Sequence, residues 1–439
     1  MVARETTICL LAVAATVIAT ASVTPQPRGV AITRVNIVDL ADGRIVPNST
    51  VMITGQTVAS VTRNSDRPAA ARVVDGRGLF LIPGLWDMHA HMEASGESWL
   101  PLYVANGVTG IRDMGSNLDL ILTMREATSA GRVLGPRIFA AGPILDDAPG
   151  DWPFRMRVKT VENGRAAVQL LKRRGVDLIK VHDHTPRDVF FAIVEEARLQ
   201  NLPVAGHVPL GVTVEDAINA GQGDIEHLSN MQLWRPCSGG REYSAQACRP
   251  FFEMLARRRV WQTPTLVAMT ELMTIGTPAS AVSAEQLSYA SKAVRQMWAG
   301  NQGAFATPEL IRAFRAGAAV GAIVTKDLAN AGVPILAGCD SMIAGFCVHD
   351  ELAAMVRGGL TPQAALQAAT LNPAQYFSLQ QTLGGVAPGQ RADLVLLDAN
   401  PLADISNVRR IRAVVVAGRL LDRKELDNLL ARVKIAAKQ

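Results

Sequence analysis

The sequence predicts an α/β protein: a (β/α)8 TIM barrel with a small β-sandwich domain formed by the N- and C-terminal segments. Three observations carry this expectation. After Pro83-Gly84, strand-like runs alternate with helical ones until eight strands have been counted. Residues 29–82 read instead as short strands with apolar and polar residues alternating, and residues 383–422 return to that texture. No strand is followed by a G-x-G-x-x-G turn, which argues against an open dinucleotide-binding sheet.

Taken in order, residues 1–21 join Arg4 to an apolar run from Ile8 to Ile18 and close on Ala19-Thr20-Ala21. That pattern, with an A-x-A-like end, reads as a signal peptide and hence a secreted or periplasmic protein. An uncleaved anchor is the alternative, although the run is short for a bilayer. No later run has membrane length, so no stable membrane insertion is expected after signal cleavage. Residues 29–82 supply the first part of the sandwich and residues 83–377 the barrel. The barrel strands are "LWDMHAHM", "VTGIRDM", "PRIFAAGP", "DLIKVHD", "PVAGHVP", "DIEHL", "WQTPTLV" and "PILAGCD". Among the helices, Arg187–Gln200 places Phe190, Ile193, Val194 and Ala197 on one face. Thr213 and Asp216 open another, which stops at Gly221. Thr361 caps a third, with Pro362 in its first turn. Residues 383–422 complete the sandwich, and 423–439 form a C-terminal helix.

The chain has 439 residues, 49% hydrophobic and 19% charged, enough to bury a large core. Its net charge of +5 is spread out, with no Lys/Arg cluster of the kind a nucleic-acid groove needs. Arg257-Arg258-Arg259 reads as a solvated helix end. Cys237 and Cys248 flank a Gly-Gly loop and could close a disulfide in an oxidising compartment. Cys339 and Cys347 are expected to stay free and buried.

In such a barrel, functional side chains stand at the C-terminal ends of strands. Those ends hold His89 and His91, Lys180, His207, His227 and Asp340, each inside apolar text and therefore in need of a partner. His89 and His91 are two apart on a strand, so both point to one face and can bind one cation. Asp87 shares that face and could accept a ring N–H from an imidazole. A second pair, His182 and His184, lies in the loop beyond Lys180; a polar loop at the barrel mouth is as good a reading as ligation.

The stretches "LIPGLWDMHAHM", "GVTGIRDMG", "DLIKV", "VAGHVP", "IEHLS", "ILAGCDS", "HDELAAMVRGGLTPQAALQAATLNPA" and "GQRADLVLLDANPL" carry a family resemblance. The chain resembles the amidohydrolase superfamily of metal-dependent hydrolases, in its Xaa-Pro dipeptidase-like and imidazolonepropionase-like branch. The resemblance implies two divalent metal ions, zinc first, with manganese, cobalt or iron open. It implies that His89, His91 and Asp340 hold one ion and that His207 and His227 hold the other. Lys180 would be an N-carboxylysine bridging both, since an ammonium has no acceptor. Asp340 would relay a proton from a metal-bridged hydroxide to the leaving nitrogen of an amide or peptide bond.

The sequence departs from its relatives in two places. Strand 8 reads Gly-Cys-Asp where they have Gly-Thr-Asp, with Cys339 read as packing. After His227 comes Arg235 but no nearby tyrosine, which weakens a strict dipeptidase assignment. His349, at the head of the helix after strand 8, is a candidate substrate contact or a helix-end polar residue; His182 and Arg235 are the other candidates. The substrate expected is a small amide, dipeptide or N-acyl amino acid. Cyclic amide, carbamate or ester hydrolysis, a mononuclear deaminase and an inactive binding scaffold remain open, as does a homo-oligomer. Specificity would be set by residues 142–160 and 229–260.

Overall fold

A computed structural model describes residues 29–438 except 64–71, 93–95, 151–153, 229–232, 236, 241, 275–279, 281, 293, 297–306 and 342. The expected signal peptide lies outside the described residues. The chain begins with β1 (Val30–Asp39), β2 (Arg44–Thr54), β3 (Thr57–Arg63), β4 (Arg72–Asp75) and β5 (Phe80–Pro83). Then come β6 (Leu85–Ala90), β7 (Val108–Asp113), β8 (Arg137–Ala140), β9 (Ile144–Asp146) and β10 (Arg155–Arg157). β11 (Ile179–Val181), β12 (Val204–Gly206), β13 (Asp224–Glu226) and β14 (Trp261–Thr263) follow. β15 (Leu394–Leu397), β16 (Ile411–Val416) and β17 (Arg419–Asp422) end the series.

The two ends of the chain share one sheet, in the order β17-β16-β15-β5-β1-β2-β3 with β4 on β1. They meet where β15 runs antiparallel to β5, Leu394 opposite Pro83 and Leu397 opposite Phe80. The run "LVLL" of β15 is apolar without a break because the strand is covered on both faces. Leu394 and Leu396 enter a core with Ile32, Val51 and Val415, while Val395 and Leu397 join the main core of the chain. The final helix, Arg423–Ala436, starts on a capping box between Asp422 and Glu425.

Between these ends lie two wholly parallel sheets, β6-β7-β8 and β10-β9-β11-β12-β13-β14. Crossover helices Arg187–Leu199, Val214–Ala220 and Ala245–Arg257 join successive strands from β11 to β14. The caps are those the sequence predicts. Thr213 accepts from Asp216 N, Gly221 closes that helix at φ 122°, and Thr361 accepts from Ala364 N. Backbone hydrogen bonds tie the sheets together: Asp177 N to Ala140 O (2.9 Å), Leu336 N to Gln262 O (2.8 Å) and Met88 N to Ala337 O (2.9 Å).

Three details depart from the sequence reading. The eighth run, "PILAGCD", forms no regular strand; only Ile335 bridges to Gln262. β9 and β10 lie outside the eight predicted runs, between the third and the fourth. Cys339 and Cys347 are not free: they form a disulfide with Cα atoms 5.8 Å apart, because the helix starting at Phe346 brings Cys347 back beside Cys339. Cys237 and Cys248 form the other, 5.0 Å between Cα atoms.

Candidate metal centre

The strand-end residues meet at the C-terminal edges of the two parallel sheets. The ring centroids of His89 and His91 are 5.2 Å apart, those of His89 and His227 4.6 Å, and those of His207 and His227 4.8 Å. Asp340 lies among them, its Oδ1 3.3 Å from His91 Nε2 and 3.8 Å from His89 Nε2, its Oδ2 3.7 Å from His227 Nε2. Lys180 is buried close by and acts electrostatically on His89, His182 and His227. Two close approaches make this possible. Gly338 sits where a Cβ would be 2.8 Å from His89 Cβ, and Gly206, at φ 133°, where one would be 2.2 Å from Val181 O.

The hydrogen bonds fix which ring nitrogen each histidine offers. His89 Nδ1 lies 2.6 Å from a Glu226 carboxylate oxygen and His91 Nδ1 2.9 Å from Gly115 O. His207 Nδ1 lies 2.9 Å from Asp183 Oδ1. His227 Nδ1 lies 2.6 Å from Thr265 Oγ1, whose own proton goes to Pro264 O. Every one of these partners can accept, so each Nδ1 can donate, which leaves Nε2 for the site. Burial lowers the His91 imidazole, but Asp340 outweighs it and raises the group, so this ring can also donate from Nε2. Nε2 of His89 and of His91 then face each other at 3.3 Å. Two lone pairs at that distance repel unless a cation or proton lies between them. A tetrahedral zinc bound at about 2.0–2.1 Å would hold two imidazole nitrogens about 3.3–3.4 Å apart, so these donors fit a metal without rearrangement.

Charge supports the same use. Burial, reinforced by Lys180, holds His89 well below the usual imidazole range; burial and His89 do the same to His227. Both are neutral, as metal ligands must be. Burial pushes the Asp340 carboxyl up, but His89, His91 and His227 outweigh it and hold the group well below the carboxylate range. Burial lowers the Lys180 ammonium. The backbone is strained at the same place. His227 (φ 55°), Leu228 (49°), Thr265 (50°) and Asp340 (49°) all adopt the left-handed conformation, one that side-chain-bearing residues hold only where the surroundings enforce it.

Beneath the histidines runs an ionic network that the sequence reading missed. Arg112, wholly buried, donates to Asp224, to Glu226 (2.7 Å), to Thr263 Oγ1 (3.1 Å) and to Met88 O (2.6 Å). Asp224, Arg112 and Glu226 thus form a chain ending on the His89 ring. This corrects the role expected of Asp87. Its Oδ1 accepts from the backbone N–H of His89 (3.1 Å) and of Cys339 (2.9 Å), so the carboxylate pins β6 to the segment carrying Cys339 and leaves the imidazole to Glu226.

The remaining candidates divide. His182 joins the site, stacked on His207 at 4.0 Å and driven down to about 2 by burial and His207. A metal could also be held by His182, Asp183 and His207, whose donor atoms lie within 4.8 Å of one another. His184 is exposed. His349 is buried in the helix Phe346–Arg357, with Asn106 and Arg409 acting on its ring, so it packs behind the site rather than facing a substrate. Arg235 is exposed beside the buried Trp234, and among the described residues no contact joins it to the histidines.

Comparison with known proteins agrees with this geometry. The model of the amidohydrolase family matches residues 80–421. The ochratoxinase of Aspergillus niger is 27% identical over 440 aligned positions, 85% of this chain and 82% of that protein. Bottromycin amidohydrolase superposes with a TM-score of 0.77 at 27% identity, over 94% of this chain and 91% of its own. A prolidase complexed with N-methylphosphonate-L-proline does so with a TM-score of 0.70 at 26% identity, over 90% and 100%.

Proposed function

The chain belongs to the amidohydrolase family, and from that premise we propose that it hydrolyses the C–N bond of small amides of the dipeptide or N-acyl amino acid kind. The relatives named ochratoxinase, bottromycin amidohydrolase and prolidase support an amide substrate. The observation that carries the reading is the convergence of the His89, His91 and His227 Nε2 atoms on the carboxylate of Asp340, with His207 beside His227 and each Nδ1 held by an acceptor.

His89, His91 and Asp340 would hold one divalent ion and His207 and His227 the other, zinc being the first choice for imidazole and carboxylate donors. When bound, the ions would supply Lewis acidity toward water and the substrate carbonyl. Burial lowers the Lys180 ammonium, so its amine can be neutral and take up carbon dioxide with loss of a proton. The carbamate would offer two acceptor oxygens where an ammonium offers none. Asp340, held ionised by the surrounding imidazoles, takes the proton from the attacking water and returns it to the departing nitrogen. Glu226 and Asp183 hold the His89 and His207 rings in register throughout.

The same reading takes the two parallel sheets as one (β/α)8 barrel, supported by the hydrogen bonds between them, and the terminal sheet as a β-sandwich with a core of its own. A secreted or periplasmic site of action is supported by the leader-like N-terminus and by two disulfides. Among the described residues no helix is long and apolar enough to cross a membrane.

Elemental analysis of the purified protein, followed by assay on N-acyl amino acids and dipeptides, tests the proposal. Asp340→Asn is expected to lose about 10²–10⁴-fold in kcat/KM while keeping most of its metal. Full activity in that variant, or a metal-free protein that turns over as fast as the loaded one, overturns it.

A further inference from the structure

Beside the His227 imidazole lies a cavity of about 550 Å3. His227 and Thr265 are part of its lining, so the cavity lies against the histidine that faces Asp340. Its walls are Leu228, Trp234, Leu266, Leu310 and Phe314, drawn from the loops after β13 and β14 and from the helix Pro308–Asn330. Among the described residues of the lining, no side chain but His227 can carry a charge, and the Thr265 hydroxyl proton is committed to Pro264 O. The adjoining cleft differs: Glu271, Arg315, Asp350 and Arg357 line it with both signs of charge.

A carboxylate or ammonium in the first cavity would lose part of its water to apolar walls and gain no counter-charge from the described lining. An aryl or branched alkyl group would bury its surface against apolar walls. Building on the amide-hydrolase reading, the geometry points to this cavity as the subsite for a bulky, uncharged apolar group carried next to the scissile amide. The substrate class is therefore an amide with an aryl or long alkyl substituent on the His227 side.

One residue of the helix leaves the room for that group. At Gly317 an added Cβ would meet nothing within 4 Å, whereas one turn on, at Gly321, it would touch Leu228 and Leu266 at 3.4 and 3.5 Å. A glycine mid-helix lowers helix stability relative to almost any other residue. Gly317 is exposed and belongs to the lining, so a large side chain there has room to lie across the mouth of the cavity. Gly317→Phe is thus a way to block the subsite that favours the helix rather than breaking it.

The test uses the metal-loaded full chain and two series of amides, one graded from methyl to naphthyl on the acyl side and one on the amine side. In one series kcat/KM is expected to climb about four-fold for each methylene that enters the cavity. Gly317→Phe is expected to cut the large-to-small selectivity ratio at least ten-fold. Hydrolysis with no preference for apolar size, or with a ratio that Gly317→Phe leaves unchanged, overturns the subsite and leaves the amide-hydrolase reading standing. If no amide in either series is cleaved, it is that reading which fails. The neutral fluorophore N-phenyl-1-naphthylamine then decides the cavity alone: saturable binding lost in Gly317→Phe supports an apolar subsite, and equal binding by both proteins, or none, overturns it.

Discussion

The two halves of the proposed centre use the same kind of ligand and are backed differently. His89 stands on β6 and His91 directly after it, and His89 leans on Glu226, whose side chain is 0% exposed. Glu226 leans in turn on Arg112, which is fixed by Asp224, Thr263 and a backbone carbonyl. His207 leans on Asp183, whose side chain is 24% exposed and sits in the loop after β11. His227 leans on one hydroxyl, that of Thr265. The first half is anchored in the sheets through His89, with His91 held by the Gly115 carbonyl just after β7, whereas the second depends on loops throughout. Orientation should therefore be nearly complete before an ion binds at the first, and partly induced by binding at the second.

The largest expected effect comes from removing a ligand on each side. His89→Ala takes out the ring that closes the Asp224–Arg112–Glu226 chain and leaves a buried carboxylate without its imidazole. It is expected to lose both ions and fall below about a thousandth of wild-type turnover. His207→Ala should retain one ion per chain by elemental analysis, with a far-ultraviolet dichroism spectrum like that of wild type. Retention of one ion by both variants would show that the halves are independent and end the comparison.

Next come the partners of the ligands. Chelator competition should show Glu226→Gln lowering the affinity of the tighter ion and Asp183→Asn that of the weaker one, each by about 10–100-fold. Glu226→Gln is expected to have the greater effect, because it also leaves Arg112 with one carboxylate fewer. Equal losses, or a greater loss in Asp183→Asn, would mean that depth of burial does not decide how well a ring is held.

Much of this centre was legible because the sequence sets polar residues in apolar text at strand ends. Strand alternation placed His89 and His91 on one face, and the structure has them so. The same rule hid Glu226. Neighbours on a regular strand face opposite ways, so an alternation that turns His227 inward turns Glu226 away. His227 breaks the rule by adopting φ 55°, and both residues then reach His89. Asp87 was placed on the correct face, but a period cannot say which donor a carboxylate will meet, and backbone N–H groups reached it first. Cys339 and Cys347 were misread for a similar reason: their pairing depends on where a helix begins, which eight residues of separation do not reveal. In the parallel sheets every strand from β9 to β14 spans three residues, so length does not separate those the sequence showed from those it hid. β9 and β10 are held by pairing with each other and with β11.

The smallest expected effect concerns what steadies the loop-borne half. Both carboxylate oxygens of Glu351 accept backbone N–H groups, from Leu266 at 2.9 Å and Val267 at 3.1 Å, directly after the Thr265 that orients His227. Burial pushes this carboxyl up to about 8; the two N–H groups pull it down, and Asp87 and Glu271 push it further up. In the unfolded chain it would titrate near 4.3. Between those values the folded protein holds a proton that the unfolded chain has released, so stability falls as pH rises through that window and levels off above it. The metal-free protein should thus melt at a lower temperature at pH 8 than at pH 5.5, opposite to what a salt-bridged carboxylate would give. Glu351→Gln cannot ionise and should make the decline shallower by about 2–4 °C, at the cost of one of the two backbone contacts. An unchanged slope in that variant would place the pH dependence elsewhere, and the loop would then owe its order to the strained backbone at Thr265 rather than to the carboxylate behind it.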